Sequence, residues 1–163
     1  MNPSAIARLV LAASLTCDIA AARALSPVAQ HGIMITLERG PCEARCAVYR
    51  LTLDGAGHVV YVGGHFVHKA GRATARVQPD AVHQIARELE ALDFFALKEA
   101  YGRDPGDCVA RQDDAPTAAL TLNVDGRHKT VQHNVGCTGP VASRLSEIAA
   151  AIDRLAGVSR WTK

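Results

Sequence analysis

Three residues separate Cys42 from Cys46. At that spacing two thiols either close a tight loop as a disulfide or share a soft metal such as copper. A thiol-redox or copper site would place the pair at the start of a helix in a βαβ unit, whereas Cys46 leads straight into the alternating segment Ala47-Val48-Tyr49-Arg50-Leu51-Thr52-Leu53. A structural bridge is therefore the expectation, with redox or copper chemistry at Cys42 and Cys46 as the alternative. Cys108 and Cys137 lack the short second spacing of a zinc ribbon and read as a second bridge. His58, His65 and His68, with His128 and His133, invite a metal, but histidines three apart on a strand point to opposite faces and read as surface residues. Asp104, Asp107, Asp113 and Asp114 lack the alternating ligands and closing Glu of a calcium loop. With Arg111 they mark a solvated polar loop over residues 102–116, and a partner is expected to bind through this loop or through the sheet. No Gly-x-Ser-x-Gly elbow accompanies Ser143 or Ser146, and Gly55, Gly57, Gly63 and Gly64 fall in turns rather than in a phosphate-cradling loop. Neither a catalytic residue nor a cofactor is called for, and a non-enzymatic role is the expectation.

Bulk composition narrows the partners further. Eighteen basic residues against sixteen acidic ones give a net charge of +2, too small a field to draw nucleic acid or anionic lipid. An aromatic share of 4% also leaves no stacking platform for single strands. With 48% hydrophobic residues in 163, the chain can bury one core, built mostly from Val, Leu, Ile and Ala.

Residues 1–24 read as a signal peptide. Arg8 precedes the apolar run from Leu9 to Cys17, and Ala22-Arg23-Ala24 offers the small-x-small site that a signal peptidase accepts. The run is too short for a membrane span. Thr16 and Ser14 stand where lipidation of Cys17 would require other residues. Removal of this segment leaves four cysteines, an even number suited to an oxidising compartment, so a periplasmic or secreted location is expected.

A flexible lead over residues 25–32 is expected before a single domain over 33–163. Ile33 to Glu38 and Ala47 to Leu53 read as strands, Asp54-Gly55-Ala56-Gly57 as a turn, and His58 to Val62 as the returning strand. A further hairpin over the residues from Gly63 to Val77 completes a meander. Pro79 opens an amphipathic helix whose stripe is Val82, Ile85, Ala86, Leu89 and Leu92. Two more strands flank Asp125-Gly126, a strong two-residue hairpin signal. A second helix runs from Pro140 to a stop at Gly157, with Val141, Leu145, Ile148, Ile152 and Leu155 on one face. The expected fold is α+β: an antiparallel sheet with two amphipathic helices on one face, in the order strands, helix, strands, helix. Within it, Cys42 is expected to bridge Cys46 across a short turn, and Cys108 to bridge Cys137 across the later hairpin.

The run Leu37-Glu38-Arg39-Gly40-Pro41-Cys42-Glu43-Ala44-Arg45-Cys46-Ala47-Val48-Tyr49 is followed by the Asp54-Gly55 turn, Tyr61-x-Gly63, Tyr101, Asp114-x-Pro116-Thr117, Gly136-Cys137 and Arg160-Trp161. Together these residues resemble an exported bacterial family known as domain of unknown function 6438. Ala44 and Ala47 depart from the Gly and Pro that members often carry there. The resemblance implies a fold and an envelope location, and brings no activity with it. The function expected is a binding or interaction module of the cell envelope, stapled by two disulfides, with a protein or a small ligand as partner.

Overall fold

A computed structural model describes residues 32–104 and 106–163. The expected signal peptide and all but Gly32 of the expected lead lie outside the described residues.

Strand β1 (Met34–Arg39) buries Ile35 and Leu37 and turns Thr36 outward, the alternation that its apolar residues impose. It pairs antiparallel with β2 (Tyr49–Asp54), which pairs with β3 (His58–Gly63), which pairs with β4 (Gly71–Arg76), so the first four strands form a meander. Helix α1 (Pro79–Ala91) starts on its proline and buries Val82, Ile85, Ala86 and Leu89. A single 3₁₀ turn (Phe94–Ala96) follows and buries Phe94. After the short strands β5 (Ala100–Tyr101) and β6 (Ala110–Arg111) come β7 (Thr117–Val124) and β8 (Arg127–Asn134). The turn between these two puts Asp125 and Gly126 at φ of 51° and 77°, the left-handed pair that a tight hairpin needs. Strand β9 (Cys137–Thr138), helix α2 (Pro140–Ala156) and the short helix α3 (Ser159–Thr162) complete the chain.

The main sheet has the strand order β4-β3-β2-β1-β7-β8-β5, so the first strand lies at its centre, between β2 and β7. Side chains buried by α1 and α2 share one core with Leu37, Leu51, Tyr61, Leu120 and Val131 from the sheet. Burying a Leu or Phe side chain is worth about 1.5–3 kcal/mol, and this shared cluster is the main support of the fold. Trp161 from α3 closes its far end by stacking on Tyr61 at 4.6 Å between ring centroids.

The α+β class holds, but the sheet is mixed rather than antiparallel throughout. Strand β5 runs parallel to β8. It arrives by way of α1 and not through a tight turn, and only a tight turn forces neighbouring strands to oppose one another. Two further elements were not expected. Strand β6, inside the supposed loop region, pairs with β9 beyond the later hairpin as a separate two-stranded sheet, and α3 follows the Gly157 stop.

Candidate functional site

Cys42 is bonded to Cys46 and Cys108 to Cys137. The first bridge closes the connection between β1 and β2 and meets no helix end, so nothing there resembles the start of a thiol-activating helix. The second ties the polar segment to β9 at the point where Arg111 of β6 pairs with Cys137.

Around that bridge the four aspartates part company. Asp107 is a structural anchor: its carboxylate accepts from Lys98 Nζ at 2.6 Å and from the backbone N–H groups of Gly102 and Asp104, both at 3.1 Å. These donors, Lys98 foremost, hold the Asp107 carboxyl below the usual carboxylate range. Its side chain is only 1% exposed, and its oxygens are taken up by these donors. Asp104, Asp113 and Asp114 are exposed. Among the described residues no three His, Cys, Asp or Glu side chains are grouped so as to hold a metal ion.

The histidines do not gather either. His58 Nδ1 lies 2.8 Å from Asp54 Oδ2, and His128 Nδ1 lies 2.6 Å from Asn123 Oδ1. His133 is the correction to the expectation of surface histidines, because it is fully buried. On β8 it falls in phase with Val131, and so it faces the core. Neither of its ring nitrogens has a hydrogen-bond partner. Burial, aided by the charge of Arg39, pushes its pKa down to about 4.

His133 lies in a row of register partners that runs from Tyr49 through Arg39 and Ala118 to His133 and on to Tyr101. Arg39 binds Asp153 of α2 through Nε at 3.2 Å and Nη2 at 2.6 Å, while the Tyr49 hydroxyl donates to the other Asp153 oxygen at 2.8 Å. Burial first, and then Asp153, raises the Tyr49 hydroxyl pKa well above its ordinary value. Both Asp153 oxygens are engaged within this trio, which makes it a clamp between α2 and the sheet. Arg39 was detectable in the sequence, since it shares the phase of Ile35 and Leu37 on β1. The partnership with Asp153 was not, because it spans more than a hundred residues.

The opposite face of the sheet carries the surface that remains open. Register sets Thr74, Val60, Thr52, Thr36, Thr121 and Thr130 side by side across six strands. Their hydroxyls link in part, Thr121 with Thr130 at 2.8 Å. In the next row Arg50 pairs with Glu38 at 2.9 Å. Here the face sinks into a depression of about 360 Å³ bordered by Val48, Val62, Thr117 and Gln132. Thr117 and Gln132 also line a second cavity, of about 320 Å³, whose other walls include Arg103 and Arg111 from the disulfide-tied segment. Arg111 and Asn134 continue into a third, of about 440 Å³, beside Cys42, Glu43, Asp113 and Asp114. The sheet face and the expected binding loop therefore form one continuous concave surface. Of the five loop residues singled out in the sequence, Arg111, Asp113 and Asp114 line it. Arg103, Thr117, Gln132 and Asn134 were missed, because what brings them together is the pairing of distant strands.

A family model described as Domain of unknown function (DUF6438) matches residues 33–156. No curated protein matches the chain.

Proposed function

The chain belongs to the DUF6438 family, and from that premise we propose that it is a non-enzymatic binding module of the cell envelope. In this reading two helices cover one face of the sheet, and the other face, extended by the disulfide-tied segment, receives a protein or a small ligand. One observation carries the proposal: the three adjoining cavities that run from the sheet face into residues 102–116 through shared Thr117, Gln132, Asn134 and Arg111. Rigid walls favour binding because little freedom is lost when the ligand arrives. Two disulfides, the Asp107 anchor and the β6–β9 pairing supply that rigidity. Among the described residues no helix is long and apolar enough to cross a membrane.

Export rests on the apolar N-terminal run, the Ala22-x-Ala24 site and the disulfides. N-terminal sequencing of material recovered from the envelope should begin near Leu25. Recovery from the cytoplasm with Met1 retained would remove the proposed location.

The binding role is tested by nuclear magnetic resonance with the ¹⁵N-labelled chain and fractionated envelope extract. Shifts should gather at Glu38, Arg50, Val62, Thr117, Gln132, Asn134, Arg103 and Arg111. Shifts confined to the outer faces of α1 and α2 would refute the assignment of the surface. Ready reduction of the Cys42–Cys46 bridge together with copper uptake would instead favour a thiol-redox or copper-handling role.

A further inference from the structure

We infer that the cavity between Arg103 and Arg111 is an oxyanion site, which seats a carboxylate or phosphate group of the ligand; this rests on the binding reading above. Its lining includes the donor side chains of Arg103, Arg111, Gln132 and Asn134, with Tyr101 and His133 beside them, and includes no carboxylate. Arg103 donates from Nη2 to the Gln132 side-chain oxygen, and Arg111 donates from Nη1 to the Gly102 carbonyl at 3.3 Å. Each guanidinium keeps further N–H groups, since it carries five in all. Gln132 has its oxygen engaged by Arg103, and Asn134 has its own engaged by the Gly136 N–H at 2.8 Å. The side-chain NH₂ groups of both amides are left to donate. The Thr117 hydroxyl adds one more polar group.

Charge points the same way. Among the described residues neither Arg103 nor Arg111 takes part in an ion pair, which is equally true of Arg45, Arg72, Arg76, Arg87, Arg154 and Arg160, but these two line one cavity that holds no carboxylate. Two guanidinium forks facing a cavity without a counter-charge suit the paired oxygens of a carboxylate or phosphate. Their positions are set in advance. Arg103 lies between Gly102 and Asp104, whose N–H groups are held by Asp107, and Arg111 lies on β6 opposite the bridged Cys137. The neighbouring cavity sets a limit on the ligand, because it shares Arg111 but adds Glu43, Asp113 and Asp114. A ligand that extends past Arg111 must therefore be neutral or cationic there.

The test is a titration of the oxidised, ¹⁵N-labelled full chain with acetate and, separately, with inorganic phosphate, at constant ionic strength maintained with chloride. The expected result is a saturable shift of the Gly102, Arg111, Thr117 and Gln132 amides. Each of the single variants Arg103→Gln and Arg111→Gln should weaken binding by about tenfold or more, the loss expected when one charge-assisted hydrogen bond is removed. Arg103→Lys should restore part of the affinity if charge matters, and less than the native side chain if the fork does. Tighter binding of acetate assigns the site to carboxylates, and tighter binding of phosphate assigns it to phosphate groups. Both arginines are exposed, so the variants should keep the native spectrum elsewhere. Shifts that grow without saturating, or that persist unchanged in the variant lacking both arginines, would overturn the oxyanion site. If envelope extract still perturbed the sheet face in that event, the binding reading would stand while this inference fell.

Discussion

Lowering the pH should destabilise the domain in a window set by His133. In the unfolded chain a histidine titrates near 6.5, whereas in the fold burial and Arg39 hold His133 at about 4. A group whose pKa is depressed by folding is protonated more readily in the unfolded state, so acid favours unfolding. The sign follows: stability is flat above about pH 6.5, falls between there and about pH 4, and levels off again for this group below that. At about 1.4 kcal/mol per unit of pKa difference, the loss across the window is about 3 kcal/mol. Set against a total of about 5–15 kcal/mol for a domain, that is a large fraction. The assay is the urea midpoint measured at intervals from neutral pH to pH 4. His133→Leu should abolish the slope in this window. It should match or exceed the native stability at neutral pH, because it removes two buried ring nitrogens that have no partner. A flat native midpoint between pH 6.5 and 4, or the same slope in His133→Leu, would refute the argument. Asp107, whose carboxyl is held below its usual range, acts at more acid pH, where its bonds to Lys98, Asp104 and Gly102 are lost on protonation.

Three further outcomes can be measured on the same material. Replacing Cys108 and Cys137 together by alanine should cost about 3–4 kcal/mol, the loop-closure value for a bridge spanning 29 residues, read as a drop in denaturant midpoint. Asp153→Ala strips the partner from Arg39 and from the Tyr49 hydroxyl and should cost about 2–4 kcal/mol, less than for a fully enclosed pair because the Arg39 side chain keeps 15% exposure. Asp107→Ala should leave the global midpoint less affected while speeding amide exchange at Gly102 and Asp104, which lose their acceptor.

Local periodicity explains why the meander, both long helices and the Asp125-Gly126 hairpin were legible in the sequence. Each is a pattern contained within a few neighbouring residues, such as Tyr49, Leu51 and Leu53 on one side of β2. The bridges were legible for a related reason, since Cys42 and Cys46 flank a short turn and Cys108 and Cys137 flank the later hairpin. Ala100-Tyr101 and Ala110-Arg111 are too short to show any period, and their pairing with β8 and β9 depends on contacts far along the chain. His133 was misjudged by residue type, and the anchoring bonds of Asp107 were not foreseen. A histidine in phase with Val131 belongs to the core, and an aspartate in a polar loop can still hold that loop's backbone through an enclosed side chain. The open site was half visible for the same reason. Arg111, Asp113 and Asp114 stood out in the loop, but the sheet residues they meet are supplied by register.

The central place of β1 also dictates a sequence of events in time. Its pairing with β2 closes over a short stretch of chain, whereas its pairing with β7 joins Ile35 to Leu122 across most of the domain. Short loops close at a lower entropic cost and therefore sooner, so the β1–β4 meander assembles while β1 still presents a bare edge. That edge is a liability until residues 117–124 arrive, because unpaired strand edges recruit strands from other molecules. The β1–β7 seam is thus the step at which a nascent chain either completes itself or aggregates. A molecular chaperone or a slow release of the C-terminal half would act on the yield of this protein there, and not at the hairpins.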